Sequence, residues 1–186
     1  MNDWAKGVMK TRKSADDPEA LCLPTGVPRP PYPMKFLQMP NLFVILFEGN
    51  IHSFRQIFLD RKEHLKDLNP NSYGDSIGHG EGDTLVVDTV GFNDRTWFDF
   101  AGHPHTEQLH TVERFRRMDL GMIECVVTID DPGAYSRPFN LTGHFPLQPA
   151  NELTESTRNE NNVDVKHVTG FEPPTLDDGR GGANVP

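Results

Sequence analysis

The segment that most limits the fold is 109–131, LHTVERFRRMDLGMIECVVTIDD. Asp119-Leu120-Gly121 reads as a three-residue hairpin loop with a left-handed Gly last, a type I turn followed by a bulge. That loop fixes the pairing, because side chains alternate faces and a one-residue slip inverts them. Phe115 then lies opposite Cys125, Glu113 opposite Val127 and Thr111 opposite Ile129. On the other face Arg116 meets Glu124 and His110 meets Asp130, a solvated surface with opposite charges paired. The inner face is Leu109, Phe115, Ile123, Cys125, Val127 and Ile129, with Glu113 in its middle. A carboxylate there must be ion-paired, hydrogen-bonded or protonated. An ion pair with an arginine such as Arg55 or Arg137 is the structural explanation; a functional acid is the other.

Two further hairpins are legible. In 42–60, LFVILFEGNIHSFRQIFLD, Gly49-Asn50 suits a two-residue type II′ turn. This turn sets Phe47 opposite His52, Ile45 opposite Phe54 and Phe43 opposite Gln56, so His52 and Gln56 share a face with Phe43, Ile45, Phe47, Phe54 and Phe58. Arg55 then falls on the other face with Leu42, Val44, Leu46 and Ile57. The third hairpin pairs Ser76–His79 with Leu85–Val90 across Glu81-Gly82-Asp83, acidic residues that turn chemistry explains. Asp88 lies mid-strand, where Asp is disfavoured, so it needs solvent or a partner.

Around this core, 1–20 reads as a short amphipathic helix (Trp4, Val8 and Met9 as one stripe) and a polar link ended by Asp16-Asp17-Pro18. Residues 21–170 form a single antiparallel β domain. It includes a Pro-rich arm, 24–40, extended over the outside of the domain. Residues 61–75 are loop, and 91–104 are an aromatic loop in which Trp97, Phe98 and Phe100 cap one end of the sheet or line a pocket mouth. Strands are expected over Phe139–Phe145 and around Asn151–Arg158. The Gly-, Pro- and Asp-rich tail 171–186 is expected to be disordered or draped on the surface. The fold class is mainly β: an antiparallel barrel or half-open barrel, lipocalin-like, with a β-sandwich as the alternative. The barrel is preferred because polar residues on inner faces fit a ligand cavity.

Composition narrows the partners. A net charge of −9 argues against nucleic acid, which clustered Lys and Arg would bind. No apolar run approaches the ~20 residues of a membrane span. The N-terminus has no signal-like apolar core, so the chain as given reads as cytoplasmic, or as periplasmic or secreted with its signal removed. Two cysteines, Cys22 and Cys125, define no zinc motif; Cys125 reads as a buried hydrophobe, and a bridge between the two stays open.

The candidate site is 102–117, GHPHTEQLHTVERFRR. If the strand extends upstream, His103, His105 and Glu107 share the face of Glu113, although Pro104 resists that extension. One reading is a small-molecule enzyme using general acid–base chemistry, of isomerase, dehydratase, cyclase or hydrolase type. His105 or His103 would be the base and Glu113 an acid or orienting carboxylate, with Glu107 as a further catalytic candidate. His52, Gln56, Asp88, Trp97 and Phe115 are the candidate substrate contacts. A second reading is a non-catalytic barrel holding a small organic ligand. These two readings call for no cofactor; in the third, the alternative, His103, His105 and His110 bind a divalent transition metal. Exposed Phe98 and Phe100 would permit a homodimer.

GDSIGHGEGDTLVVDTVGFNDRTW, GHPHTEQLHTVERFRR and VTIDDPGAY together resemble a widespread family of uncharacterised bacterial proteins. The likeness runs from about Leu21 to about Asn161. It implies an exported-type β domain and no particular chemistry. His79-Gly80 stands where the family more often has a bulkier residue such as Trp. Thr157-Arg158 stands where a Cys is common, which weighs against a family-type disulfide from Cys22.

Overall fold

The computed structural model describes residues 1–49 and 53–154. Its centre is one eight-stranded sheet in sequence order, curled into a half-open barrel. The strands are β1 (Met34–Gln38), β2 (Leu42–Phe47), β3 (Phe54–Phe58), β4 (Asp75–Glu81), β5 (Thr84–Val90), β6 (His110–Asp119), β7 (Met122–Asp130) and β8 (Phe139–Pro146). All neighbours are antiparallel except β3 and β4, which run parallel through Ile57 opposite Ser76 and Phe58 opposite Ile77. The sheet is therefore mixed rather than wholly antiparallel. The long connection between β3 and β4 supplies the reversal that a parallel pair requires.

The β6–β7 hairpin has the expected register, with Phe115 opposite Cys125 and Glu113 opposite Val127, but not the expected turn: Gly121 is not left-handed, Asp119 pairs with Met122 across Leu120-Gly121, and the extra residue is taken up by a bulge between Arg117 and Asp119. The β2–β3 hairpin does not. Leu46 pairs with Phe54, Ile45 with Arg55 and Val44 with Gln56, one residue away from the two-residue-turn pairing. Phe47 and Ser53 close the hairpin, so the connection 48–52 has an odd number of residues. A one-residue slip turns every side chain of β3 over. Ile57 and Arg55 face inward, while Phe54 and Gln56 are exposed. Gly49 serves a different purpose from a II′ turn: a Cβ there would lie 3.1 Å from the Tyr32 carbonyl and 3.2 Å from Pro31, so it lets the proline arm pass.

The arm also departs from expectation. Its end, Met34–Gln38, is strand β1, with Phe36 opposite Ile45 and Met34 opposite Phe47. Its earlier part is not outside the domain: Thr25, Gly26 and Val27 are buried. Gly26 has φ +77°, and a Cβ there would meet the Ser72 carbonyl at 2.7 Å and Thr96 Oγ1 at 2.8 Å. Only glycine suits both that backbone and that approach. Arg29 ties the arm down through Asp17 at 3.0 Å and through Glu19.

Helix α1 (Asp3–Thr11) is capped by Asn2, whose side chain accepts from the Ala5 amide. The expected Trp4 stripe is not its buried side. Ala5 is buried, Trp4 is 49% exposed, and Arg12 lies over the Trp97 ring instead. Two apolar clusters fill the concave side, one around Phe92, Leu109 and Ile129, the other around Ile45, Phe47, Ile57 and Val87. Among the described residues no helix is long and apolar enough to cross a membrane. The strand expected around Asn151–Arg158 has no regular structure over 151–154 and otherwise lies outside the described residues, as does the tail.

Candidate functional site

Glu113 faces inward from β6, as its register requires, and is 4% exposed. Its partner is Arg55, equally buried, which the odd-numbered β2–β3 connection turns onto the same face. The Arg55 side chain runs across the sheet. Its Nε donates to Ser76 Oγ on β4 at 3.1 Å, and its Nη2 donates to Thr89 Oγ1 on β5 at 2.8 Å and to Glu113 Oε2 on β6 at 2.5 Å. Ser76 and Thr89 hydrogen-bond to each other at 3.1 Å. Two buried charges cost several kcal/mol each to desolvate, roughly, and persist only when paired and hydrogen-bonded in this way.

Above the pair lies a cavity of about 150 Å³. Its walls are Ile45 and Phe47 of β2, Phe115 of β6, Cys125 and Val127 of β7, and Phe145 of β8. Val27, Pro28 and Pro30 of the arm line it as well. Arg55 and Glu113 are its charged lining. Burial, and then the charge of Glu113, push the Cys125 thiol well up, so it stays protonated. Both cysteines are free. Cys125 is a wall and not a nucleophile.

The other expected residues are elsewhere. Strand β6 begins at His110, and Pro104 bridges Trp97 instead of continuing the strand, so the assumed parity does not apply. His105 is 1% exposed and stacks on Phe98 at 5.2 Å. Its Nδ1–H donates to the Thr106 carbonyl at 3.2 Å, leaving Nε2 to accept from the Thr96 hydroxyl at 2.6 Å. Burial lowers its proton affinity. It is a satisfied core histidine and does not line the cavity. His103 pairs with Asp99 at 2.7 Å near the surface. Glu107 is exposed in a turn.

Phe115 lines the cavity, edge-on to Phe36 at 5.9 Å. Gln56 points outward, Trp97 is buried under Arg12 at one end of the sheet, and His52 lies outside the described residues. Phe98 is buried against His105; Phe100 is exposed beneath Arg29, so the apolar pair once expected at a dimer surface is a single ring. Asp88 has found its partners on the convex face: His64 Nε2 at 2.8 Å and His110 Nε2 at 2.9 Å. Burial alone would raise its carboxyl, but these two contacts outweigh it and hold it below the usual range. His64 continues the chain to Asp75 at 2.9 Å. His103, His105 and His110 thus have three separate sets of partners. Among the described residues no three His, Cys, Asp or Glu side chains are grouped to hold a metal.

Sequence reasoning named Arg55 as a possible ion-pair partner of Glu113, as found, but put it on the opposite face of β3 and did not place the arm at the cavity. The available signal was Arg55 itself, a lone cation in an apolar hairpin facing a chain that also buries a carboxylate. In comparison with known proteins, the chain matches no family model, no curated protein and no solved structure.

Proposed function

We propose that this protein is a small-molecule-binding half-barrel whose ligand, a small and largely apolar organic compound, sits in the cavity between the concave sheet and the proline arm. The observation that carries this is an apolar-walled cavity with a buried charge pair on its floor. Ligand sites have this character: hydrophobic walls for affinity and a few fixed polar groups for orientation. A dry cavity of about this size is known to accept a benzene ring. Acid–base catalysis by His105 and Glu113 is not proposed, because His105 is enclosed by Thr96, Thr106 and Phe98 away from the cavity. Two residues of the segment 102–117, Glu113 and Phe115, line the cavity and support the binding reading.

The experiment is chemical denaturation with and without toluene. A ligand that binds the folded state alone stabilises it by RT ln(1 + [L]/Kd), about 2.7 kcal/mol at a hundredfold excess over Kd. A toluene-dependent rise in the midpoint is expected, and Val127→Trp, which fills the cavity, should remove it. A rise that survives Val127→Trp places binding elsewhere and refutes the proposal.

A further inference from the structure

The polar floor of the cavity is incompletely used. Arg55 spends Nε on Ser76, and Nη2 on Thr89 and Glu113. Its second terminal nitrogen, Nη1, has no hydrogen-bond partner among the described residues. Glu113 accepts through Oε2, and its second oxygen, Oε1, has none either. Both residues are more than nine-tenths buried. Among the described residues the sealed, unpartnered polar side-chain atoms belong to Thr25, Arg61 and Thr111. Arg55 and Glu113 both line the cavity.

We infer that the cavity is built for a neutral amide: a small apolar molecule whose carboxamide or lactam carbonyl accepts from Arg55 Nη1 and whose N–H donates to Glu113 Oε1. This rests on the binding reading above and specifies its ligand. A guanidinium offers donors and a carboxylate offers acceptors, so side by side they present one of each. An amide presents the complementary pair on one edge. The ion pair carries no net charge, so a ligand carboxylate meets Glu113 as well as Arg55, and a ligand ammonium meets Arg55 as well as Glu113. Either ion would also lose its hydration on entering an apolar chamber. A purely apolar molecule fits the walls but leaves Nη1 and Oε1 dry and unpaired. Volume sets the size. A cavity of about 150 Å³ takes a molecule with a single small ring, by comparison with benzene in a cavity of that size.

The test is a ranking of four probes of similar size, benzamide, benzoate, benzylamine and toluene, by NMR titration of the full chain at neutral pH. Benzamide should bind at least about tenfold tighter than each of the others. In the double variant Arg55→Met/Glu113→Leu, benzamide and toluene should bind within about twofold of each other. Should that variant not fold, the wild-type ranking decides alone. If toluene, benzoate or benzylamine binds the cavity as tightly as benzamide, the amide inference is overturned and the binding reading stands. If none of the four binds at millimolar concentration, the binding reading falls and the inference falls with it.

Discussion

Removing one member of the Arg55–Glu113 pair should be far more damaging than removing both. Each charge is enclosed, with side-chain exposures of 3% and 6%, so each depends on the other. Glu113→Leu leaves a buried guanidinium with only the Ser76 and Thr89 hydroxyls. Arg55→Met leaves a buried carboxylate with no cation. Breaking a buried pair in this way costs about 3–5 kcal/mol. For a domain of this length that is a fall in Tm of roughly 6–20 °C, at about 2–4 °C per kcal/mol. Arg55→Met/Glu113→Leu replaces both with apolar side chains in an apolar chamber, while Ser76 and Thr89 keep their mutual hydrogen bond. Its stability should lie within about 1–2 kcal/mol of wild type or above it. Urea denaturation of the four proteins gives the cycle, with an expected coupling of at least about 4 kcal/mol from these figures. Single variants within about 1 kcal/mol of wild type would show that the pair is solvated, and the account of the cavity floor would be refuted.

Three other outcomes follow. His105 is buried and binds a proton less readily in the fold, while the unfolded chain takes one up below about pH 6.5; the unfolded state then holds more protons, so stability falls as pH drops through that window. The slope is at most about 1.4 kcal/mol per pH unit, and His105→Gln should flatten it in denaturation curves between pH 5 and 7, roughly. With the Cys125 thiol buried and pushed up, native protein should react with a thiol reagent at Cys22 alone, and two fast-reacting thiols would contradict the packing of β7. Gly26→Ala forces a Cβ against Ser72 and Thr96 at a left-handed backbone position, so it should cost about 1–3 kcal/mol and weaken toluene binding by displacing the arm; unchanged binding would separate the arm from the cavity.

The parts of the fold legible in the sequence are those where local chemistry fixes geometry. Around Asp119-Leu120-Gly121 the β6–β7 register was legible, and the inward Glu113 and the inner apolar face follow from it, but the left-handed Gly121 was not found: Leu120-Gly121 is a two-residue loop and the extra residue lies in the bulge before it. The β2–β3 register was not legible in the same way. Gly49 looks like turn chemistry but answers to the arm, a contact distant in the chain. One residue of error there put Arg55 on the wrong face, although it was named as a possible partner of Glu113, and misplaced Gln56. Strand β1 was obscured by neighbouring prolines, although Met34, Phe36 and their partners pair normally. For His105, neither the residue type nor its spacing separates a satisfied core histidine from a catalytic one; the decisive contacts, Thr96 and Phe98, come from a loop without periodicity. Asp88 was legible as a residue needing a partner, but not that His64 would supply it from the β3–β4 connection.

The central claim is that a small apolar molecule enters the chamber above Arg55 and Glu113. The most direct measurement is intermolecular NOEs from bound toluene to methyl-labelled protein. Contacts to the methyls of Val27, Ile45 and Val127, which belong to the arm, β2 and β7 and all line that chamber, are the expected result. Contacts confined to exposed side chains such as Leu120, or no NOEs at saturating toluene, would contradict it.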